Sequence, residues 1–347
     1  MASGLFHTTY RNSIKRFQTA FVKLWLALFV IGLIIFPFFE LNYLLTIMIY
    51  SGIATIAALG INILTGMTGQ ISLGHAAFCG IGAYTSAILY TRMGIPSILC
   101  VFMAGAVAAL SGLIVGIPSL RLKGLYLAIT TMAFQFIVQH LTSHWSSLTA
   151  GTSGLDVSPI VIGNYAIDTD FKMYFLVMFF VVLAITATAN LKRSHVGRAF
   201  VAIRDGHIAA EVMGVELFHY KLLAFIISAF FAGIAGSLIA SFNGFITPDN
   251  FNIEISIQYI AMIIVGGMGT VLGSIYGAVF MTIIPEVLMS ITSMLGVNYP
   301  YLLSVFVYTK GLVFGLIIIF FLIYEPEGLY GRWQKIKKSF RVWPYNY

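Results

Sequence analysis

Read for apolar length, the chain alternates long hydrophobic stretches with short polar ones. The apolar stretches fall near 20–39, 43–63, 75–91, 97–119, 124–141, 173–190, 220–241, 256–272, 275–292 and 306–324. A helix of about 20 residues crosses a hydrocarbon core of roughly 30 Å, and these stretches have that length with almost no charge inside them. The pattern predicts an all-α integral membrane protein of about ten transmembrane helices. No stretch between them is long enough for a soluble domain, so residues 1–347 read as a single transmembrane domain.

Two polar segments break the series. Residues 142–171 contain LTAGTSGLDVSPI, and residues 191–219 form the longest charged segment. Loops of that length are uncommon in compact proteins unless they bind something or are disordered.

Composition sharpens the picture. Apolar residues make up 59% of the chain and charged ones 9%, outside the usual mix of soluble domains. The formal charge of +7 does not point to nucleic acid, because the basic residues sit mostly at the ends of apolar stretches, where they orient a membrane protein. With the N-terminus inside, the inner loops collect Arg11, Lys15, Arg16 and Lys23, then Arg121 and Lys123, then the basic residues of 191–221 and those of the C-terminal tail. Of the 19 basic residues only Arg92, Lys172 and Lys310 fall outside, and the 142–171 loop, with Asp156, Asp168 and Asp170, reads as exported. Both termini are then cytoplasmic. The first apolar run has no small-residue cleavage site close behind it and reads as a retained span. Cys79 and Cys100 lie within apolar stretches and read as small packing residues, not as a bridge or metal pair. His75, His140 and His144 lack zinc-ligand spacing, so neither a metal nor a cofactor is expected.

Residues 66–84, GMTGQISLGHAAFCGIGAY, place five glycines, a Gln, a Ser and a His where two helices meet. Two readings are open. Small residues let helices approach closely, and broken backbone at membrane depth is tolerated where it lines a cavity, in which case Gln70, Ser72 and His75 line a polar path. A second cluster, VGGMGTVLGSIYGAVF, brings Gly266, Gly267 and Gly269 to a comparable place in the other half, and paired interrupted segments point to transport. Both clusters run in the same sense, so they need not be symmetry mates. A split between spans is expected at 272–275. Glu286, after Pro285, is the deepest carboxylate, yet no chain of acidic groups and histidines suited to proton relay crosses the spans. There is no Gly-x-x-x-x-Gly-Lys-Ser/Thr loop, so any ATP is handled by another chain.

Segment 191–219 has alternating charge signs, with Ile203, Ile208 and Val212 able to form one apolar stripe. It reads as a helix lying on the membrane or as a docking element. In the second case Ala209, Ala210 and Gly214 allow close approach, and Arg204, Asp205 and Glu211 lie at the rim.

Four pieces in this order, GQISLGHAAFCGIGAY, GRAFVAIRDGHIAAEVMGVELFHYKLLAFIISAFFAGIAG, GGMGTVLGSIYGAVF and EPEGLYG, resemble the LivM-type permease of branched-chain amino-acid ABC importers. The resemblance implies a type II ABC importer-like permease in a bacterial inner membrane. It implies as partners a second, homologous permease, two cytoplasmic ATPases and an extracytoplasmic solute-binding protein. It also implies that 191–219 is the coupling segment held by an ATPase. IAAEVMG is similar to the importer coupling motif, with Ile208 where that motif has Glu. Related permeases serve urea, short amides and aromatic acids, which remain alternatives for the substrate. A stand-alone secondary transporter is the alternative mechanism, and it would need its own coupling-ion site.

Overall fold

The computed structural model describes residues 20–39, 41–119, 124–162, 165–296 and 301–342. Arg11, Lys15, Arg16, Arg121 and Lys123, used above for orientation, lie outside the described residues. The chain divides into two compact units, Met1–Leu45 and Thr46–Tyr347. In the first, helix α1 (Ala20–Ile35) runs into a 3-10 turn at Phe36–Phe39. Its Trp25, Phe29 and Ile34 are at least half exposed, as expected of a lipid-facing helix.

The remaining helices are α2 (Asn42–Ile61, prolonged by a π-helical turn at Asn62–Met67), α3 (His75–Met93), α4 (Ser97–Ser119), α5 (Leu125–His144) and α6 (Asp170–Arg193). After them come α7 (His195–Asp205), α8 (His207–Val212), α9 (Leu217–Asn243), α10 (Ile253–Gly266), α11 (Val271–Gly296), α12 (Tyr301–Tyr324) and α13 (Gly328–Val342). Among the described residues six helices are long and apolar enough to cross a membrane, or up to seven if the bent pair Gly311–Tyr324 and Gly328–Ser339 is one span. That is fewer than the ten expected, for reasons visible in the helices themselves. Helix α3 has the length but carries His, Tyr, Thr, Ser and Arg, and α10 has only 14 residues. The break between α10 and α11 falls at 267–270, earlier than the 272–275 expected.

Position within the bundle sorts the spans. Asn42–Met67 and Leu217–Asn243 are 72% and 67% buried, whereas the other four are 28% to 33% buried and turn most of their surface outward. Helix α9 is the axis of the core and sits between α3 and α4 on small residues. A Cβ on Gly236 would lie 1.9 Å from the Cys79 carbonyl oxygen, one on Gly82 would lie 2.2 Å from that of Gly233, and one on Gly112 would lie 2.8 Å from the Ala229 Cβ. Lipid tails are as apolar as leucine, so close van der Waals contact and not water exclusion holds such helices together.

The expected all-α character has one exception, at the end carrying 142–171. Ile160–Ile162 pairs antiparallel with Tyr165–Ile167, and Leu155–Asp156 pairs with Phe245–Ile246 beyond α9. The loop is thereby tied to the bundle, and Arg92 adds a hydrogen bond to the Leu148 carbonyl at 3.3 Å. At its close Lys172 donates to Asp168 at 2.6 Å, and this bond holds the Asp168 carboxyl below its usual range.

Candidate functional site

The opposite end of the bundle gathers the two glycine-rich breaks and the charged segment. The first break follows from α2 losing its regular winding. Residues 62–67 wind as a π-helix, and Gly69 then takes φ +72°, a conformation open to glycine at little cost. The turn closes on itself: Thr65 Oγ1 donates to the Gln70 carbonyl at 2.9 Å, and the Gln70 amide donates to the Leu64 carbonyl at 3.1 Å. The Gln70 side chain donates from Nε2 to Thr68 Oγ1 at 2.9 Å and to the Lys221 carbonyl at 3.3 Å.

The second break is the α10–α11 turn. Gly267 (φ +118°) and Gly269 (φ +74°) both adopt left-handed backbone, and a Cβ on Gly266 would lie 1.9 Å from the Gly273 carbonyl oxygen. Gly273 and Gly277, the later glycines of the same sequence cluster, lie within α11, where their missing side chains admit the backbone of α10.

One buried side chain joins the two breaks. Asn62 accepts from the Gly269 amide at 2.8 Å and donates to the Thr270 carbonyl at 3.1 Å. Charged groups of the 191–219 segment close the junction from outside. Arg204 donates from Nη1 to the Gly66 carbonyl at 3.1 Å, and Lys192 donates to the Gly269 carbonyl at 2.7 Å. Cationic donors suit this place because a chain that leaves helical winding frees carbonyl oxygens that need partners. A cavity of about 220 Å³ opens beside the junction, lined by Gln70, Ile71, Leu127, Ile203, Arg204 and Lys221 among others.

The candidate path residues therefore separate. Gln70 lines the cavity, and Gly266, Gly267 and Gly269 shape the turn next to it. Ser72 and His75 are each 1% exposed, Ser72 bonded within its own turn and His75 against neighbouring helices. The Ser72 Oγ accepts from the Gly74 amide at 3.4 Å, while His75 Nε2 is 3.0 Å from the Ala57 carbonyl and its ring meets Tyr259 edge-on at 5.5 Å. Beside them runs a polar thread that sequence reading missed: Ser256 accepts from the Ala76 amide at 2.9 Å and donates to Gln135 Oε1 at 3.3 Å. Among the described residues no three His, Cys, Asp or Glu side chains gather as a metal site would require.

The charged segment folds as two short helices. Ser194 caps α7 by accepting from the Gly197 amide at 3.2 Å, and Gly214, at φ +85°, ends α8. The expected stripe divides. Ile203 is 4% exposed and faces the bundle, whereas Ile208 and Val212 are 69% and 82% exposed, with Met213 beside them at 84%. Ala210, 4% exposed, is buried, and Ala209, Glu211 and Gly214 are on the surface. Arg204 pairs with Asp205 at 2.9 Å while reaching inward to Gly66.

Comparison with known proteins puts these features in a lineage. Residues 43–322 match the family described as branched-chain amino acid transport system / permease component. The high-affinity branched-chain amino acid transport system permease protein LivM of Salmonella typhimurium is 30% identical over 331 residues, covering 88% of this chain and 74% of that protein. LivM of Escherichia coli gives the same identity and coverage. A probable branched-chain amino acid transport permease protein LivH of Methanocaldococcus jannaschii is 28% identical over 84% of this chain and 92% of its own. No solved structure matches the chain.

Proposed function

The chain belongs to the family of branched-chain amino acid transport permease components, and we propose that it is the membrane subunit of an ABC importer that carries branched-chain amino acids inward. The observation that carries this reading is the 30% identity to LivM across 88% of the chain. The family match, residues 43–322, spans both glycine breaks and the charged segment.

Transport is powered by two ATPases on separate chains, with a second, homologous permease completing the pathway and a solute-binding protein delivering substrate. The fold is type II importer-like, with ten crossings of an inner membrane. The shorter or more polar helices α1, α3, α10 and α12 complete that count, α3 and α10 surviving inside the bundle because neighbours and not lipid meet their polar groups. The end bearing Lys192, Arg198, Arg204 and Lys221 is cytoplasmic, as is each terminus, in keeping with the excess of Lys and Arg on that side of membrane proteins.

In this reading Gln70 and the turn of Gly266, Gly267 and Gly269 form the cytoplasmic mouth, while Ser72 and His75 hold its walls. Segment 191–219 is the coupling element. Arg204 acts at its inner side, and Asp205, Ala209, Glu211 and Gly214 stand at its partner-facing rim, with Ala210 fixing the fold of the segment. An ATPase drives a permease only through contacts that differ between two states, and Arg204, fixed to Gly66 at one end of α7, supplies a direct link from that rim to the mouth.

The test is uptake of labelled leucine, isoleucine and valine into vesicles carrying the complete importer. Accumulation should require ATP and the binding protein together. Accumulation of urea, a short amide or an aromatic acid in place of all three would move the substrate assignment, and uptake without ATPase subunits would replace the mechanism with secondary transport.

A further inference from the structure

We propose that α13 is an interfacial anchor that binds anionic lipid headgroups at the basic end of the bundle. The inference rests only on the chain being a membrane protein and is independent of the transported substrate. Helix α13 leaves α12 through a bend of 43° and is strongly amphipathic. Leu329, Trp333 and Ile336 follow one another at helical spacing, and Trp333 and Ile336 are 52% and 42% exposed. Tryptophan concentrates at the level of the headgroups, where one end of the ring is apolar and the other wet. Around that stripe stand Arg332, Lys335, Lys337 and Lys338, and the helix contains no acidic residue.

Only two of these four charges are spent on internal pairs. Glu325 and Glu327 engage Arg332 and Lys335, whereas Lys337 and Lys338 meet no carboxylate among the described residues. A helix with an exposed apolar stripe, a Trp and a surplus of lysines is matched by a surface that is apolar below and negative above, which is an anionic leaflet. The root of the helix is fixed in the protein. Gly328, at φ +66°, sits so close to the α10–α11 turn that a Cβ would lie 2.5 Å from the Gly267 amide nitrogen. The leaflet and the glycine turn are thus held by opposite ends of one element.

The experiment reads the depth of Trp333 directly. The full chain, in its assembled complex, keeps Trp333 while Trp25, Trp145 and Trp343 become Phe, and it is placed in bilayers with bromine on the lipid tails near the headgroup. With about a third phosphatidylglycerol, emission should fall at least twofold. The quenching should weaken in neutral phosphatidylcholine, at high salt and in the Lys337→Gln/Lys338→Gln variant, each lysine contributing about fivefold to membrane partition. Equal quenching in neutral and anionic bilayers would overturn the proposal, since the lysines would then contribute nothing. Quenching by aqueous iodide instead of bromine would overturn it as well, as would protection seen only when the ATPases are bound, because the face would then be wet or covered by protein. If the Trp replacements reduce expression, a spin label on Ile336→Cys reads the same quantity. Collisions with oxygen should outweigh those with a water-soluble nickel complex, and the reverse order refutes the anchor.

Discussion

Arg204 and Gly66 stand 138 positions apart in the chain and are joined by a hydrogen bond of 3.1 Å from the guanidinium to the backbone carbonyl. Gly269 is pressed against both, for a Cβ there would lie 2.7 Å from Arg204 Nη1 and 2.9 Å from the Gly66 oxygen. One side chain therefore connects segment 191–219 to the two glycine-rich breaks. Hydrogen bonds to charged groups contribute about 1.5–3 kcal/mol, enough to bias two states of the assembly by tenfold or more. Arg204→Gln should leave membrane insertion and complex yield unchanged and lower ATP-driven uptake about tenfold. Arg204→Lys should not restore it, since a point charge cannot hold Gly66 and Asp205 together as a planar fork does. Uptake per assembled complex is the measurement, and wild-type uptake in Arg204→Gln would make the contact incidental.

The glycines sort into those that carry helix contact and those that do not. Gly236→Ala would place a methyl 1.9 Å from the Cys79 carbonyl, and backbone has no way to yield without moving a helix. Overpacking of this kind costs about 1–3 kcal/mol or more, so yield of folded complex should drop severalfold and its thermal midpoint should fall. Gly311→Ala and Gly315→Ala meet nothing within 4 Å and should leave both unchanged. Gly80, where a Cβ would lie 3.2 Å from the Phe251 ring, is intermediate, and a leucine there should disturb the bundle where an alanine is tolerated.

Orientation has its own test. Cys79 and Cys100 are both buried, so an impermeant thiol reagent has little background to report. Thr169→Cys lies on the surface at the 142–171 loop and His195→Cys on the surface at the basic end. In intact cells the first should label and the second should label only after permeabilisation. The opposite pattern inverts the topology.

How far the sequence spoke depends on what each residue needed from its neighbours. Apolar length located the long spans, because crossing a bilayer is a property of a single segment. Glycine inside an apolar run was ambiguous. Gly267 and Gly269 break the chain, whereas Gly273 and Gly277, a few positions on, continue a helix and make room for α10. Only the partner helix distinguishes the two uses. Asn62 passed unnoticed although it bridges both breaks, and its one signal was an amide in an otherwise apolar run. Gln135 and Ser256 gave the same faint signal. The sequence leaves His75 open between helix packing and a polar path, and its orientation is set by the Ala57 carbonyl, a contact that no local pattern encodes. In the sequence Arg204 reads as a rim residue of a docking element, and its inward reach to Gly66 depends on how α7 packs.

If segment 191–219 is the coupling element proposed above, its exposed edge yields the sharpest mutational contrast. Ile208, Val212 and Met213 are 69%, 82% and 84% exposed, next to the charged Asp205 and Glu211 on the same surface. Three such side chains at the centre of an interface are worth about 1 kcal/mol or more each when truncated, so Ile208→Ser, Val212→Ser and Met213→Ser together should weaken ATPase association by roughly a hundredfold. The permease itself should fold as before, because nothing within the bundle rests on these atoms. Ala210 behaves differently: it is 4% exposed, and Val215 donates to its carbonyl at 2.9 Å. Ala210→Leu should therefore expose α8 to proteolysis before any partner is added, whereas the triple serine variant should not. Co-purification of the ATPases and limited proteolysis of the permease separate the two effects. If the triple variant retains wild-type ATPase association, the partner docks elsewhere and the exposed edge belongs to the membrane surface.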